Sequence, residues 1–219
     1  MATPTEENYL KALFALADAD DKIPVSELAK ALGVSTPTAN SMVRKLHQRG
    51  LLHYQRYKPL ALTPAGRIAA AQVIRKHRLT EMYLVERMGF GWEEVHPIAE
   101  QIEHIDSPAF FARMDQLMGF PTVDPHGSPI PSLNGEVATQ PYRPLSDCPV
   151  DASLTLRALT QSSSDLLRLL NERGIHLGIP ITIHSRESFD GTLTVSYPDH
   201  DRVTFSQLLA SKLLVEDEK

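Results

Sequence analysis

Four side chains within one short stretch, His96, Glu100, Glu103 and His104, have the types and spacing to hold a metal ion. Separations of four, three and one residues put Glu100, Glu103 and His104 on nearly the same side of a helix. Upstream, His77 and Glu81 share a face of a long helical stretch, and antiparallel packing of the two helices would set them opposite that cluster. Imidazole nitrogens with carboxylate oxygens and no thiolate suit Mn(II), Fe(II), Co(II) or Zn(II) rather than Cu(I) or an iron–sulfur cluster. Any one of these residues alone reads as a solvated surface charge. His77, Glu81, Glu100, Glu103 and His104 together read as a ligand set. Catalytic metal centres use the same residue types. A hydrolase would also need a cleft and a water-activating base, and no nucleophile motif or Gly-rich phosphate loop stands in the chain.

The elements that must carry these residues follow from periodicity. TEENYLKALFALADA, residues 5–19, places Tyr9, Leu10, Leu13, Phe14, Leu16 and Ala17 on one stripe of a helix, with Thr5 as its expected N-cap. After Asp18 to Lys22, Ser26 is expected to cap a short helix over residues 27–32. Gly33 and Val34 then make a tight turn, and a second helix runs from about Thr36 to Gln48 and stops at Gly50. This is a helix-turn-helix pattern. LLHYQRY and KPLALT follow as two short strands around a basic tip, which makes the module a winged helix. Its reader helix carries Ser35, Thr36, Pro37, Thr38, Asn40, Ser41, Arg44 and Lys45 on the outer face, groups suited to base edges and phosphates, while Arg56 and Lys58 at the hairpin tip suit the DNA backbone. Winged helices also build protein–protein modules. The charge distribution favours DNA: residues 1–80 hold 12 Lys and Arg against 6 Asp and Glu, whereas residues 81–219 hold 10 against 21.

Helices are expected over residues 65–88, 92–105 and 108–118. Their apolar faces, among them Leu79, Met82, Tyr83, Phe110, Phe111, Leu117 and Met118, exceed what one small helical layer covers, so a symmetric dimer is expected to bury them. The Pro- and Gly-rich residues 121–150 read as a connector. Beyond it, LTLRAL, ITIHSRE, GTLTVSY, RVTFSQ and LLVED read as short strands around one helix from Ser164 to Arg173, a small β-barrel. The fold class is α+β, mainly α, in three parts: 1–64 a winged-helix DNA-binding domain, 65–140 a helical dimerisation and metal-binding domain with its connector, and 150–219 the β domain. No apolar run approaches the ~18 residues that would span a membrane. The N-terminus lacks the basic region of a signal peptide, and the one cysteine, Cys148, cannot form an intramolecular disulfide. A cytoplasmic protein is expected.

ENYLKAL, ELAKALGVSTPTANSMVRKL, LTPAGRIAA, RKHRLTEMYL and VHPIAEQIEHIDS stand here in an order that resembles the diphtheria-toxin-repressor type of metal-dependent transcriptional regulators, which includes iron and manganese sensors. LLRLLNERGIHLGIPITI resembles the SH3-like C-terminal domain of the long members. The resemblance implies a homodimeric repressor that binds a palindromic operator with Mn(II) or Fe(II) as co-repressor. It implies metal ligation by His77, Glu100, Glu103 and His104 in one site and by Glu81 in a neighbouring one. Asp124-Pro125-His126-Gly127 is similar to a Cys-Pro-His-Gly segment of that family, which would make Asp124 and His126 ligands. The third-domain carboxylate that completes such a site corresponds to Gln161, with Ser162, Ser163 and Asp165 as nearby alternatives. Two positions depart from the family: Asn8 stands where a first-helix Asp or Met ligand is usual, and Lys11 where short manganese regulators have Glu. Glu100 replaces a soft Cys ligand of the iron-sensing prototype, which hardens the site and tilts it toward Mn(II). His96 belongs either to an accessory site or to the cap of its helix before Pro97. The rival readings are a metal-independent winged-helix regulator and a metal-dependent hydrolase.

Overall fold

The structure, a computed structural model, describes residues 2–17 and 22–218. These group into two compact units, Met1–Thr80 with Ile98–Thr122 and Ile130–Ala138, and Glu81–Pro97 with Val123–Pro129 and Thr139–Lys219.

In the first unit, α1 spans Pro4–Leu16, α2 Val25–Ala31 and α3 Thr36–Gln48, followed by β1 at Leu52–His53 and β2 at Ala61–Leu62. The N-cap of α1 is Thr3, not Thr5: Thr3 and Glu6 form a reciprocal capping box, and Pro4 takes the first helical position, where its missing N–H costs nothing. Asp18 and Ala19, the expected end of this helix, lie outside the described residues. Ser26 does not cap α2, which begins one residue earlier after Pro24. Antiparallel β1 and β2 pair Leu52 with Leu62, and Ile23 bridges to Leu60, so the hairpin is tied to the start of α2. Leu10, Leu13, Leu28, Val43, Leu46, Leu52 and Leu60 form the core. Helix α4, Pro64–Met88, starts hard against the hairpin: a Cβ at Gly66 would lie 1.9 Å from the Leu51 carbonyl oxygen, so only glycine fits.

Helix α5 is His96–Ile102 and α6 is Pro108–Leu117. A helix from residue 92 was expected; Pro97 prevents it, because in a helix interior its ring would clash with the preceding turn, so the helix starts next to the proline. Glu103 still donates its N–H to the Ala99 carbonyl at 2.9 Å, which keeps it on the α5 face as the helix ends.

The second unit is built on a six-stranded antiparallel sheet in the order β3-β8-β4-β5-β6-β7. The strands are β3 Arg143–Pro144, β4 Ser153–Leu159, β5 Pro180–Arg186, β6 Leu193–Tyr197, β7 His200–Phe205 and β8 Leu213–Asp217, with α7 at Ser164–Glu172 and α8 at Gln207–Ala210. The short β3, inside what reads as connector, and α8 are the elements that the sequence pattern does not announce. Alternate residues of β4, β5, β6 and β8 point into a core with Leu166, Leu167 and Leu170 of α7. Cys148 is buried there and free.

Candidate metal centres and nucleic-acid interface

Burial of Ala39, Val43 and Leu46 turns the other face of α3 to solvent. Ser35 is the N-cap: its Oγ accepts the Thr38 N–H at 3.3 Å and lies 2.8 Å from Thr38 Oγ1. Thr36, Pro37, Thr38, Ser41, Arg44 and Lys45 are exposed, and Asn40 is half-buried, donating to the Thr36 carbonyl at 3.1 Å. A groove of 860 Å³ separates this face from the hairpin tip, with Asn40, Ser41 and Arg44 on one wall and Arg56, Tyr57 and Lys58 on the other. Lys45 also forms an ion pair with the buried Glu6 at 3.3 Å, and Arg49 donates to the other Glu6 oxygen at 2.6 Å. Burial alone would raise the Glu6 carboxyl. The Thr3 backbone and the Arg49 and Lys45 cations outweigh that and lower it to about 2. The first turn of α1 is thereby bonded to the reader helix.

A first group of donors meets inside the first unit. Glu103 is fully buried and accepts from His77 Nδ1 at 2.5 Å and from Lys11 Nζ at 2.7 and 3.0 Å. Burial works to raise its carboxyl; the hydrogen bonds and charges of His77 and Lys11 outweigh it and hold the group below the ordinary carboxylate range. His104 Nδ1 donates to Glu7 at 2.6 Å, which directs its Nε2 to a point 3.7 Å from Glu103 Oε1. A carboxylate that orients an imidazole in this way is the usual outer partner of a metal-binding histidine. Glu100 is half-exposed, 3.8 Å from Lys11.

A second group lies within the other unit. Ligand atoms of Glu81, Asp124 and His126, all buried, are within 4.8 Å of one another. Asp124 Oδ1 accepts the N–H groups of His126 and Ser128, each at 2.9 Å, which folds the loop about its carboxylate. His126 Nε2 lies 2.9 Å from the Trp92 carbonyl, and a carbonyl only accepts, so Nε2 carries a proton. The Nδ1 atom then faces Glu81 at 3.8 Å and Asp124 at 4.0 Å. Two buried carboxylates converging on an imidazole lone pair are costly unless a proton or a cation lies among them, so the donor set fits a divalent ion. The sheet domain positions the loop: Leu159 at the end of β4 donates to the His126 carbonyl at 3.0 Å. The His126 ring stacks on Trp92, whose Nε1 donates to Asn171 of α7 at 2.7 Å. Gly127 has φ +85°, and a Cβ there would lie 2.3 Å from the Arg157 carbonyl oxygen, which is why the loop can close on β4. His96, 48% exposed, turns Nδ1 to Glu81 at 3.2 Å.

By unit, His77, Glu100, Glu103 and His104 belong to the first, and Glu81, His96, Asp124 and His126 to the second. Asn8 is exposed on α1, and Gln161 is exposed two residues beyond Leu159. Sequence reasoning missed Glu7 as the partner of His104 and Glu6 as the partner of the reader helix. The available signals were the Thr3–Glu6 capping spacing and the one-turn spacing of Glu7 and Lys11.

Residues 1–60 match the family "Iron dependent repressor, N-terminal DNA binding domain", residues 63–132 match "Iron dependent repressor, metal binding and dimerisation domain", and residues 143–217 match "FeoA domain". The iron-dependent repressor IdeR of Mycobacterium tuberculosis (strain ATCC 25618 / H37Rv) is 31% identical, over 97% of this chain and 96% of that protein. The diphtheria toxin repressor of Corynebacterium diphtheriae is 27% identical over 97% of each. Among solved structures, a manganese-dependent transcriptional repressor in complex with manganese is similar at TM-score 0.86 and 35% identity, covering 97% of this chain and all of that one. ScaR with bound Zn2+ is similar at TM-score 0.80 and 31% identity, covering 97% and 99%. Among the described residues, no helix is long and apolar enough to cross a membrane.

Proposed function

The chain belongs to the family of iron-dependent repressors of the diphtheria-toxin-repressor type, and we propose that Mn(II) or Fe(II), held by Glu81, Asp124 and His126 with His96 beside them, is its co-repressor. It is a metal-dependent, DNA-binding transcriptional repressor, and its winged helix, helical domain and FeoA-type SH3-like domain are those of the family. The observation that carries the metal assignment is the convergence of three buried donors, Glu81, Asp124 and His126, from two distant parts of the chain. When bound there, a divalent ion would supply positive charge between the two carboxylates. Two carboxylates and an imidazole are a hard set, which favours Mn(II). Fe(II) binds the same donors more tightly in the intrinsic order, so availability selects between them.

The DNA is read by Ser35, Thr36, Pro37, Thr38, Asn40, Ser41, Arg44 and Lys45 of α3, with Arg56 and Lys58 of the wing on the backbone. In a dimer, two copies of α3 suit a palindromic operator. The division of labour is 1–64 for DNA, 65–140 for dimerisation and metal, and 150–219 for the domain that positions the Asp124–His126 loop. The residues named here bind and report; in this reading the chain does no chemistry and works in the cytoplasm.

Communication with the reader helix runs through α1. Glu7 holds His104 while its neighbour Glu6 holds Arg49 and Lys45, so a change at the end of α5 reaches the end of α3 through one helical turn. Couplings of this kind are worth about 1–3 kcal/mol.

The test is a titration of Mn(II), anaerobic Fe(II) and Zn(II) into metal-free protein, followed by fluorescence anisotropy of its own upstream DNA at fixed salt. Mn(II) or Fe(II) should tighten binding at least tenfold, and Glu81→Gln with His126→Ala should abolish the gain. Equal binding in the presence of chelator would make the chain a metal-independent regulator.

A further inference from the structure

We propose that Lys11 is a resident cation of the first donor group, so that each chain takes one ion tightly, at Glu81, Asp124 and His126, and its His77–Glu103–His104 group admits a second only when the ammonium is displaced. The inference rests on the metal-binding reading above.

Three observations carry it. The Lys11 ammonium contacts both oxygens of the fully buried Glu103, at 2.7 and 3.0 Å, and lies 3.8 Å from Glu100. It therefore lies among the oxygens on which His104 Nε2 also converges, 3.7 Å from Glu103 Oε1. Second, Lys11 is held to this place by α1 itself. It follows Glu7 by one helical turn, and Glu7 is bonded to His104, so the same helix face delivers the orienting carboxylate and the ammonium together. Third, α1 brings no spare acid to outbid the lysine. Glu6 and Glu7 are its acidic residues; Glu6 is engaged by Arg49 and Lys45, Glu7 by His104, and Asn8 between them and Lys11 is neutral and exposed.

An ammonium only donates hydrogen bonds and cannot coordinate an imidazole as a metal ion does, so it balances charge at Glu103 without taking His104 as a ligand. An entering divalent ion must break two charge-assisted bonds to a buried carboxylate before gaining its own. Lys11 has a route out, being about a quarter exposed. The consequence for regulation is that α1 stays tied to the end of α5 in the absence of metal, and the response to metal is read at one centre per chain.

The experiment counts bound Mn(II) by the electron paramagnetic resonance of the free ion during titration of the full chain, for the natural protein, Lys11→Ala, Lys11→Met and Lys11→Arg. The natural chain and Lys11→Arg should bind one tight ion per chain. Lys11→Ala and Lys11→Met should bind two, the second at least tenfold tighter than any second event in the natural chain. Lys11→Met keeps the aliphatic stem, so one of the two neutral variants reports even if the other is poorly folded by circular dichroism. Two tight ions in the natural chain, or one ion in both neutral variants, overturns the role of Lys11 while leaving the co-repressor reading standing. Absence of any tight ion in all four proteins overturns both.

Discussion

At the scale of single residues, the balance of burial against partners decides what each ionisable group does. Glu6 and Glu103 are both buried acids held below the ordinary carboxylate range, Glu6 by the Thr3 backbone and the Arg49 and Lys45 cations, Glu103 by His77 and Lys11. Glu6 gives a pH prediction. Its carboxyl sits at about 2 in the folded protein against an ordinary value of 4.5, so its contribution to stability is complete above about pH 4.5 and is lost as the pH falls toward 2. Denaturant melts between pH 6 and 2.5 should show Glu6→Gln less stable than the natural chain at the upper end and the gap narrowing as the medium is acidified. A constant gap would remove the ion pairs from the account. His126 shows the complementary case, where a single carbonyl fixes the tautomer: with Nε2 donating to Trp92, Nδ1 is the atom offered to the carboxylates.

At the scale of elements, the first turn of α1 connects the most functions. Its capping box places Glu6 against the end of α3, and the next residue bonds to His104 just beyond α5. The helical spacing was legible from the sequence, but the partners were not, because Arg49 and His104 are 43 and 97 residues away from them and only packing selects those pairings. The wing makes its own prediction. Arg56 and Lys58 are exposed across a groove from Arg44, and the reading proposed above assigns them to the DNA backbone. Arg56→Ala and Lys58→Ala should each weaken binding to operator and to unrelated DNA alike, and lower the slope of log affinity against log salt by about 1. A loss confined to operator would reassign the tip to sequence reading.

At the scale of the whole molecule, the first unit leaves an apolar face for which a second copy is the partner that the family's dimerisation domain implies. Leu117, Phe120 and Leu133 are 50%, 66% and 77% exposed, and a cavity of 340 Å³ lined by Leu79, Phe111, Phe120 and Leu133 lies among them. Phe120→Asp should therefore shift the protein toward monomer in light scattering and, on the palindromic operator proposed above, reduce operator affinity with it. A dimer of unchanged stability would move the interface elsewhere.

The amino-acid sequence by itself determined the order of the main elements, short β3 and α8 excepted, the reader helix with its wing, the sheet domain and the residue types of both donor groups. Those follow from local periodicity, caps and spacing, which act over a few residues. Tertiary structure decided the partner of each donor. On α4, His77 bonds to Glu103, and one turn further on Asp124 and His126 approach Glu81. Spacing along a helix says which side chains share a face; it does not say what packs against that face. That Lys11 lies on Glu103, and that β4 and Trp92 hold the Asp124–His126 loop, depends on contacts between segments distant in sequence, which burial and hydrogen bonding select only once the chain is folded.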